Sequence, residues 1–524
     1  MGSSAEQYGT RSSMSLTKDD GSYGDLEKKK GFLSDAEEPV TPQVDETEYT
    51  TLSWVNRWAA RLNAETKGVS PVTEDECHDS SLLNAASMWF SANLVIAAFA
   101  VGVLSTAVFR LNMLEAVLAT VVFSFMGVLA VAFFSVFGAE FGLRQMILSR
   151  YLMGNTTARI FCLINVIACV GWSSVNTIAS TTLLHMINPT GARCPPWAAS
   201  LIIVLSTVFI TFFGYRVIHA YEKWSWVPNL VVFLIIIARL AIAGNFTAGS
   251  SLGGKATAGS FLSYGSVVFG FASGWTTYAA DYTVYMPKNS NKYRIFFFMI
   301  AGLATPLLFT LILGAAAGRC VHTNPTWGEY YKKHSVGGLC FAILAENALG
   351  GFGQFCCVVL AMSTVANNIP NMYSIALSTQ ALWSRFARVP RVFWTLVGNA
   401  CSLVIAIVAY YKFETFMTSF MDSIGYYLSI YIVICVTEHF VFRKGFRGYD
   451  VSHWDRPDLL PAGYAGCAAL CVGAVGVAMG MSHEYYTGPI AKLAGGDIGF
   501  LLAAGFSFIV YICCRPLELK YTGR

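Results

Sequence analysis

The sequence predicts an all-α polytopic membrane protein, and its composition is the first reason. Hydrophobic residues make up 55% of the 524 residues and charged residues only 13%, and the mean hydropathy is +0.52. Apolar segments of about 20 residues, the length of helix that crosses a hydrocarbon core, recur along the chain. Lys and Arg concentrate in the polar segments between them, as is typical of loops at a membrane surface.

The remaining composition excludes several classes of protein. The formal net charge of +4 is small and comes from loop residues, so it gives no support to a nucleic-acid partner. Most of the 14 cysteines lie inside apolar segments without the spacing of metal ligands, and neither a metal nor a cofactor is expected. Cys194 and Cys320 fall in loops predicted to face outward, where a disulfide between them is chemically feasible.

The chain divides into six consecutive regions. Residues 1–50 are rich in Ser, Asp, Glu and Lys and are predicted to form a disordered cytosolic tail. The pre-membrane region 51–86 contains residues 52–64, whose apolar side chains recur at helical spacing and are predicted to lie on the membrane surface. Two five-helix repeats, two additional helices and a cytosolic tail follow, at 87–244, 262–441, 461–514 and 515–524.

Twelve transmembrane helices are predicted, with one connector after the second and another before the eighth. Residues 140–153 form the first connector, which is amphipathic, and residues 337–349 form the second. The spans are placed at 87–109, 112–137, 158–184, 197–215, 226–244, 262–286, 294–317, 351–382, 391–411, 417–441, 461–482 and 494–514.

The distribution of Lys and Arg orients the predicted helices. Loops on the side of the amino terminus carry more of these residues than loops on the opposite side, which places both termini in the cytosol. The sequon Asn245-Phe246-Thr247 then lies on the outer face, and Asn245 is a candidate glycosylation site.

An odd number of helices in each half gives the two halves opposite topology. Five plus five helices in this arrangement form the inverted repeat of many secondary transporters, leucine-transporter-like in fold, whose sites lie at mid-membrane on discontinuous helices. The first predicted span then corresponds to the sixth, and the third corresponds to the eighth.

The eighth predicted span contains the most unusual stretch of the chain, residues 366–373 (ANNIPNMY). An unpaired amide in hydrocarbon costs several kcal/mol, so Asn367, Asn368 and Asn371 are expected to face protein, solute or water. Pro370 removes a backbone donor, and a broken helix that lines a cavity is predicted here. The alternative is that the amides only bond neighbouring helices.

Two tryptophans fall near the middle of their spans and therefore at one depth. Trp172 and Asn176 are i,i+4 on the third span, and Trp275 follows Gly274, a candidate break in the sixth. Two indoles at one depth can hold a flat ring between them, and the amides match the mixed donor and acceptor edge of a nucleobase. Packing in the core or in an interfacial belt is the alternative for either tryptophan.

These residues carry a resemblance to a known family. The stretch ANNIPNMY, a Gly-Trp pair with an asparagine four residues after the tryptophan, Ser-Gly-Trp in the sixth span and WFSANLVIAAFAVG at 89–102 resemble fungal purine–cytosine permeases of nucleobase–cation symporter family 1. The resemblance covers residues 50–515 and implies that a substrate ring stacks between the tryptophans of the third and sixth spans. The residues that it assigns to the substrate are Trp172, Asn176, Trp275, Asn368 and Asn371, with Pro370 shaping the helix and Asn367 and Gly274 as further candidates.

Few residues in the sequence indicate which ion is coupled to transport. Sodium sites in the fold that the resemblance implies use hydroxyls of the eighth span, for which Ser363 and Thr364 are candidates, although such hydroxyls also bond helical carbonyls. No carboxylate is predicted at the depth of the tryptophans. The nearest acid, Asp281, is a candidate for coupling or for a simple ion pair. The fungal resemblance favours protons.

The sequence and the resemblance together predict secondary active uptake of purines (adenine, guanine, hypoxanthine) and cytosine by proton symport, with alternating access, across the plasma membrane. Another flat heterocycle, such as uracil, allantoin or a pyridoxine- or thiamine-like ring, is the alternative, followed by an amino-acid permease of the same fold. A channel would need a continuous polar stripe. An enzyme would need a nucleophile–base pair or metal ligands at mid-membrane, and the 8 histidines fall mostly in loops or near span ends.

Overall fold

The computed structural model describes residues 68–77, 82–188, 194–212, 221 and 223–524. The predicted tail at 1–50 and the predicted surface segment at 52–64 lie outside these residues, and both remain predictions. Within the described residues the regular structure is helical, apart from one two-stranded hairpin.

A helix occupies each of the segments predicted to span the membrane. The helices, labelled in chain order, are α1 (Leu82–Asn93), α2 (Ile96–Ala107), α3 (Met113–Phe141), α4 (Gln145–Met153), α5 (Asn155–Met186), α6 (Pro196–Phe212), α7 (Trp226–Ala243), α8 (Gly254–Ser273), α9 (Lys292–Thr323), α10 (Pro325–Leu344), α11 (Gly351–Leu382), α12 (Arg391–Ala409), α13 (Phe413–Thr437), α14 (Tyr464–Gly480) and α15 (Gly499–Thr522).

Length and composition show that several of these helices are membrane spans. Seven helical stretches among the described residues are long and apolar enough to cross a membrane, and the bent pair α1–α2 makes an eighth if it is one span. One of the seven, Arg391–Phe442, runs through both α12 and α13, and α6 and α14 are shorter apolar helices. The chain is therefore a multi-pass membrane protein, and the number twelve stays a prediction.

The first predicted span, 87–109, is a pair of helices with a break between them, which the sequence did not indicate. α1 ends at Asn93, α2 begins at Ile96, and their axes bend by 53°. Buried backbone groups without partners cost several kcal/mol each, and here neighbouring helices supply the partners. Asn367 Nδ2 donates to Ala92 O (2.6 Å), Thr310 Oγ1 to Asn93 O (3.3 Å) and Asn229 Nδ2 to Leu94 O (3.3 Å), while Ser363 Oγ accepts from Ile96 N (3.1 Å).

The sixth predicted span is interrupted at the predicted position. α8 ends at Ser273, Gly274 caps it, and a 3-10 helix continues over Thr276–Tyr282. Tyr278 departs from helical geometry, with a φ of −144°. Thr276 Oγ1 donates to Ser273 O at 2.6 Å and so satisfies a carbonyl at the end of α8.

The eighth predicted span is continuous, and the predicted break at its Asn-Pro stretch was wrong. α11 contains Pro370 without interruption. A proline inside a helix costs about 3 kcal/mol. However, 67% of the most apolar window of α11 is buried, and α11 packs chiefly against α5. Packing on this scale outweighs the lost hydrogen bond, so the helix stays whole.

The first predicted connector is buried on all sides rather than amphipathic. All nine residues of α4 are buried. The 3-10 segment holds its amino-terminal end, because Gln145 N donates to Asp281 Oδ1 at 2.7 Å and Arg144 Nη1 donates to Asp281 O at 3.0 Å. A carboxylate at this position accepts from a free N–H group and opposes the positive end of the helix dipole.

The second predicted connector, 337–349, begins directly after a kink within α10. The helical segment starts at Pro325, but His334 and Ser335 depart from helical geometry, with a φ of 52° at Ser335, and a π-helical turn follows at Ala345–Leu349. Asn324 Oδ1 caps the first turn by accepting from Trp327 N at 3.2 Å, and proline is favoured at the first helical position. Asn-Pro was therefore the signal for the helical segment that precedes the kink.

Cys194 and Cys320 do not form the disulfide considered from the sequence. Both are free thiols, and Cys320 is buried inside α9 rather than placed in an outer loop. α9 continues to Thr323, beyond the end predicted at 317. Its carboxyl end is held by the loop that precedes α8, because Thr323 Oγ1 donates to Asn245 O at 2.5 Å.

The last two helices, α14 and α15, pack against each other, and α15 also packs against α13. A short antiparallel hairpin, β1 (Ser482–His483) and β2 (Tyr486–Thr487), lies between them in the chain. The hairpin was not predicted, because strands of two residues leave no alternating pattern to read.

Candidate functional site

The two tryptophans predicted at one depth face each other. The ring centroids of Trp172 and Trp275 are 6.4 Å apart, and the ring planes differ by 21°. Trp172 lies on α5, and Trp275 directly follows the break at the end of α8. Both side chains are buried, at 3% and 2% exposure. The structure thus brings the two predicted residues together as nearly parallel planes.

Glycine and other aromatic rings shape the space around these indoles. A Cβ atom at Gly274 would meet Trp172 Cζ2 at 2.4 Å, so glycine is what lets the indole lie against this backbone. Phe271 and Phe420 meet the Trp172 indole edge-on, with centroids 5.2 and 6.0 Å away. Trp89 meets Trp275 in the same manner at 5.1 Å. Each indole is therefore held in place by rings outside the pair.

Three of the predicted amides form a compact cluster. Asn176 Nδ2 donates to Asn367 Oδ1 at 2.7 Å and to Asn368 Oδ1 at 2.9 Å. Asn176 lies one turn after Trp172 on α5, and the other two amides lie on α11. None of the three is more than 2% exposed. The cluster therefore joins the third and eighth predicted spans beside the indoles.

Six buried polar atoms on α5 have no hydrogen bond, and two of them belong to the predicted site residues. These two are Asn176 Oδ1, an acceptor, and Trp172 Nε1, a donor. Buried polar groups in native proteins almost always have a partner, and leaving one unpaired costs about 1–3 kcal/mol. Because the two residues are i,i+4, an acceptor and a donor on one helix face are left for a ligand.

Asn371 has partners of its own and does not join the cluster of three amides. Its Nδ2 donates to Asn367 O at 3.0 Å, and its Oδ1 accepts from Tyr278 Oη at 2.9 Å. Asn371 thus ties α11 to the 3-10 segment after the sixth break. Sequence reasoning missed Tyr278, and the available signal was a tyrosine within a stretch of otherwise small residues.

Asn93, at the end of α1, was not among the predicted site residues either. Trp275 Nε1 donates to Asn93 Oδ1 at 3.3 Å, and Asn93 Nδ2 donates to Trp89 O at 2.8 Å. One amide therefore connects the break in the first span to the indole at the break in the sixth. An asparagine in the middle of an apolar segment was the signal that could have identified it.

Ser363 and Thr364 lie one turn before the amides, against the first break. Ser363 Oγ accepts from Ile96 N at 3.1 Å and donates to Leu360 O at 2.5 Å. Thr364 Oγ1 lies 2.6 Å from Ser180 Oγ. Ser363 therefore makes two bonds. One goes to a carbonyl of its own helix, as the alternative to a sodium site assumed, and the other goes to the start of α2.

A buried acid that was not predicted lies beside the site. Asp281, the predicted candidate, accepts from the first residue of α4. Asp422 of α13 is 5% exposed and lies two residues after Phe420, whose ring contacts Trp172. The prediction that no carboxylate lies at the depth of the tryptophans stays a prediction. An aspartate inside the tenth predicted span was the signal that was overlooked.

The glycosylation candidate, Asn245, is not part of the candidate site. Asn245 is in the loop between α7 and α8, and the residues that complete its sequon, Phe246 and Thr247, are exposed. Its modification stays a prediction.

Comparisons with known proteins identify the family and confirm the resemblance. A family model described as permease for cytosine/purines, uracil, thiamine, allantoin matches residues 71–488. A purine-cytosine permease of Saccharomyces cerevisiae is 61% identical over 497 residues, which cover 94% of this chain and 93% of that protein. A purine-cytosine permease of Emericella nidulans is 45% identical over 480 residues, which cover 91% of this chain and 93% of that protein.

Solved transporter structures share the fold. The inward-facing conformation of Mhp1 has a TM-score of 0.64 at 16% identity and covers 87% of this chain and 96% of that chain. A Na+-coupled sialic acid symporter has a TM-score of 0.57 at 12% identity, with 90% and 96% covered. At these identities the likeness concerns the fold alone. The family model and the two permeases show that this chain belongs to the family of permeases for cytosine and purines, uracil, thiamine and allantoin, which are transporters and not enzymes.

Proposed function

We propose that this protein imports purine bases, namely adenine, guanine and hypoxanthine, and cytosine by proton symport with alternating access. The observation that carries the proposal is the pair of nearly parallel indoles beside an unpaired amide acceptor on the same face of α5. The relatives named as purine-cytosine permeases, at 61% and 45% identity, support this substrate class.

The substrate ring binds between Trp172 and Trp275. Stacking on an aromatic side chain contributes about 1–3 kcal/mol per base. A ring between two others needs about 7 Å between their planes, twice a carbon–carbon contact of about 3.5 Å, so the two indoles, whose centroids are 6.4 Å apart, move apart when the ring enters. Gly274 keeps the backbone at the sixth break against the edge of the Trp172 indole and so leaves the faces of both indoles to the ring.

The amides bind the edge of the ring. Asn176 Oδ1 accepts from a ring N–H or amino group, which gives this buried atom the partner that it lacks. Asn176 Nδ2 is shared between Asn367 and Asn368, so one of these amides turns to the substrate while the other keeps Asn176 paired. Asn371 supports the site through its bond to Tyr278.

Alternating access rests on an inverted repeat of five plus five helices, with two additional helices at the carboxyl end. The breaks at 94–95 and 274–275 support this plan, because they fall in the first and sixth predicted spans, which correspond to each other. Twelve spans are proposed, and the excess of Lys and Arg in the loops on the side of the amino terminus supports cytosolic termini. The plasma membrane is the proposed location.

Protons are the proposed coupling ion, and no cofactor takes part. A sodium ion would use the hydroxyls of Ser363 and Thr364, and both hydroxyls are already engaged by protein groups. This engagement, together with the fungal relatives, favours protons over sodium.

Uptake of labelled adenine by fungal cells that lack their own purine permeases tests the proposal. We expect saturable uptake that guanine, hypoxanthine and cytosine compete away and that uracil, allantoin and thiamine do not. We also expect a protonophore to abolish uptake and replacement of sodium to leave it unchanged. Competition confined to the other heterocycles would overturn the substrate class, and uptake that needs sodium and ignores the protonophore would overturn the coupling.

A further inference from the structure

A cluster of ionisable side chains lies next to the candidate site, where three elements meet. Asp422 comes from α13, His483 from β1 and Asp497 from the turn before α15. All three are buried, and one side-chain oxygen or nitrogen of each lies within 4.8 Å of the others. Burying ionisable groups is costly unless they are paired, which makes a functional role the first hypothesis.

Asp497 has a structural role in this cluster. Its Oδ2 accepts from Ser482 N at 2.6 Å and from Tyr426 Oη, and its Oδ1 accepts from Gly499 N at 3.0 Å. Its carboxylate therefore fastens the hairpin to the start of α15. Three donors satisfy most of the hydrogen-bonding capacity of this buried carboxyl group.

Asp422 is in the opposite situation. Its Oδ2 lies 3.9 Å from His483 Nδ1, beyond hydrogen-bond distance, and its Oδ1 is buried without any hydrogen bond. Ser266 Oγ of α8 is the neighbouring hydroxyl, and its interaction with the carboxyl falls short of a well-formed hydrogen bond. A carboxylate with so weak a partner loses most of its hydration on burial, and a carboxyl that carries a proton loses far less.

Among the described residues, His483 is the basic side chain nearest to Asp422, and its Nε2 lies 3.2 Å from Tyr426 Oη. Burial lowers the pKa of His483 and so favours the neutral imidazole. α8 offers only the hydroxyls of Ser263 and Ser266. The other titratable or charged groups on the surrounding elements are Tyr426, Glu484, Tyr485, Lys255 at the start of α8 and Lys492 in the short helix before α15.

We propose that Asp422 and His483 form the proton-binding site of this transporter. The proton enters from the outer side and rests on the Asp422 carboxyl, whose free oxygen then donates a hydrogen bond, and it leaves to the cytosol when the opposite gate opens. His483, whose Nδ1 lies 3.9 Å from Asp422 Oδ2, is the adjacent titratable group that can share the proton. The inference rests on the proposed function, since it names the residues that couple protons to uptake.

α13 connects this site to the substrate site through consecutive residues. Phe420 contacts the Trp172 indole, with centroids 6.0 Å apart, and a Cβ atom at Gly171 would meet the same phenylalanine at 2.2 Å. The Met421 carbonyl lies so close to Gly270 of α8 that a Cβ atom there would meet it at 1.9 Å. Asp422 follows directly. A change of charge at Asp422 therefore acts on a helix segment in tight contact with both halves of the indole pair.

A metal ion is a poorer occupant than a proton. Zinc bonds of about 2.0–2.2 Å would bring tetrahedral ligand atoms to about 3.4 Å from one another. The closest approach of Asp422 to His483 is 3.9 Å, and the oxygens of Asp497 already accept from three donors. A proton needs no rearrangement of this kind.

The test uses the full-length protein in vesicles with an imposed pH gradient and the membrane potential clamped at zero. For one proton per substrate, a gradient of about one pH unit supports roughly tenfold accumulation of labelled adenine. We expect Asp422→Asn, which matches a neutral carboxyl in size, to lower accumulation to about one while exchange of labelled for unlabelled adenine stays within about twofold of the wild type. Glu414→Gln, on the same helix but outside the cluster, is the matched control and keeps full accumulation.

His483→Gln provides a second variant should Asp422→Asn fail to reach the membrane. We expect it to keep exchange and to shift the pH at which accumulation is half-maximal. Tenfold accumulation by Asp422→Asn, or an unchanged pH profile in His483→Gln, would refute the proton site. Loss of accumulation in the wild type on adding a metal chelator would assign the cluster to a metal ion and equally refute it. Absence of adenine exchange in the wild type would instead refute the proposed function itself.

Discussion

α11 and the α1–α2 junction differ in a way that their sequences alone would not suggest. α11 contains three asparagines and Pro370 within five residues and stays one helix over 32 residues. The junction, Leu94-Val95, has neither proline nor glycine, yet the chain bends there by 53°. The residues that usually disturb a helix lie on α11, whereas the break lies between α1 and α2.

Hydrogen-bond partners explain this difference. The break needs acceptors and donors for freed backbone groups, and α11 supplies two of them, the Asn367 amide for Ala92 O and the Ser363 hydroxyl for Ile96 N. α11 itself loses one backbone bond at Pro370 and is compensated by extensive packing. Polar residues on a membrane helix can therefore indicate a break in that helix or a break in a neighbouring helix, whose free backbone groups they bond.

The largest effect should come from removing the amide that serves both helices. Asn367→Ala leaves Ala92 O without its donor and removes one acceptor from Asn176 Nδ2. Each buried group left unpaired costs about 1–3 kcal/mol, so we expect uptake to fall by at least tenfold and surface abundance to fall with it. Uptake kinetics and surface labelling, measured on the same cells, give both quantities.

Asn399→Ala is the matched control for this change. The Asn399 amide on α12 is also buried, but it donates only to Thr395 O one turn earlier on its own helix, at 2.9 Å. We expect nearly normal abundance and uptake. If both variants behave alike, the role of α11 as partner of the broken span is wrong.

A smaller effect is expected at the indole pair, which faces the substrate rather than the backbone. Trp172→Ala and Trp275→Ala each remove one stacking face, worth about 1–3 kcal/mol, so the apparent affinity for adenine should weaken by roughly ten- to a hundredfold. The phenylalanine variants keep a ring and should retain partial binding. Because the two faces share one ligand, the double alanine variant should deviate from additivity.

Abundance separates this expectation from core packing. Trp172 and Trp275 also contact Phe271 and Trp89, so the alanine variants lose packing as well. Normal affinity in the molecules that reach the surface, combined with low abundance, would assign both tryptophans to the core and would remove the stacking site from the proposed function.

The sequence predicted the helical segments and the pairing of Trp172 with Trp275, because apolar length and position along a span are local properties. It identified the amides of α11 for the same reason, since three asparagines in an apolar run are visible without a partner. The break after Asn93 and the cluster around Asp422 were missed. Both depend on which side chains of distant segments meet, and no local pattern in the chain records those contacts.

Pro370→Ala should have the smallest effect on affinity. In this conformation α11 is already continuous, so alanine restores the backbone N–H that proline lacks and gives Ala366 O a donor. Alanine is favoured over proline inside a helix by about 3 kcal/mol, which predicts equal or higher thermal stability of the purified protein. The side chains of the amide cluster keep their positions, and we expect adenine affinity to change by less than about twofold. A large loss of uptake at normal abundance and raised stability would show that α11 has to bend at Pro370 during transport. The contrast between the whole helix and the broken one would then hold for one conformation of the cycle only.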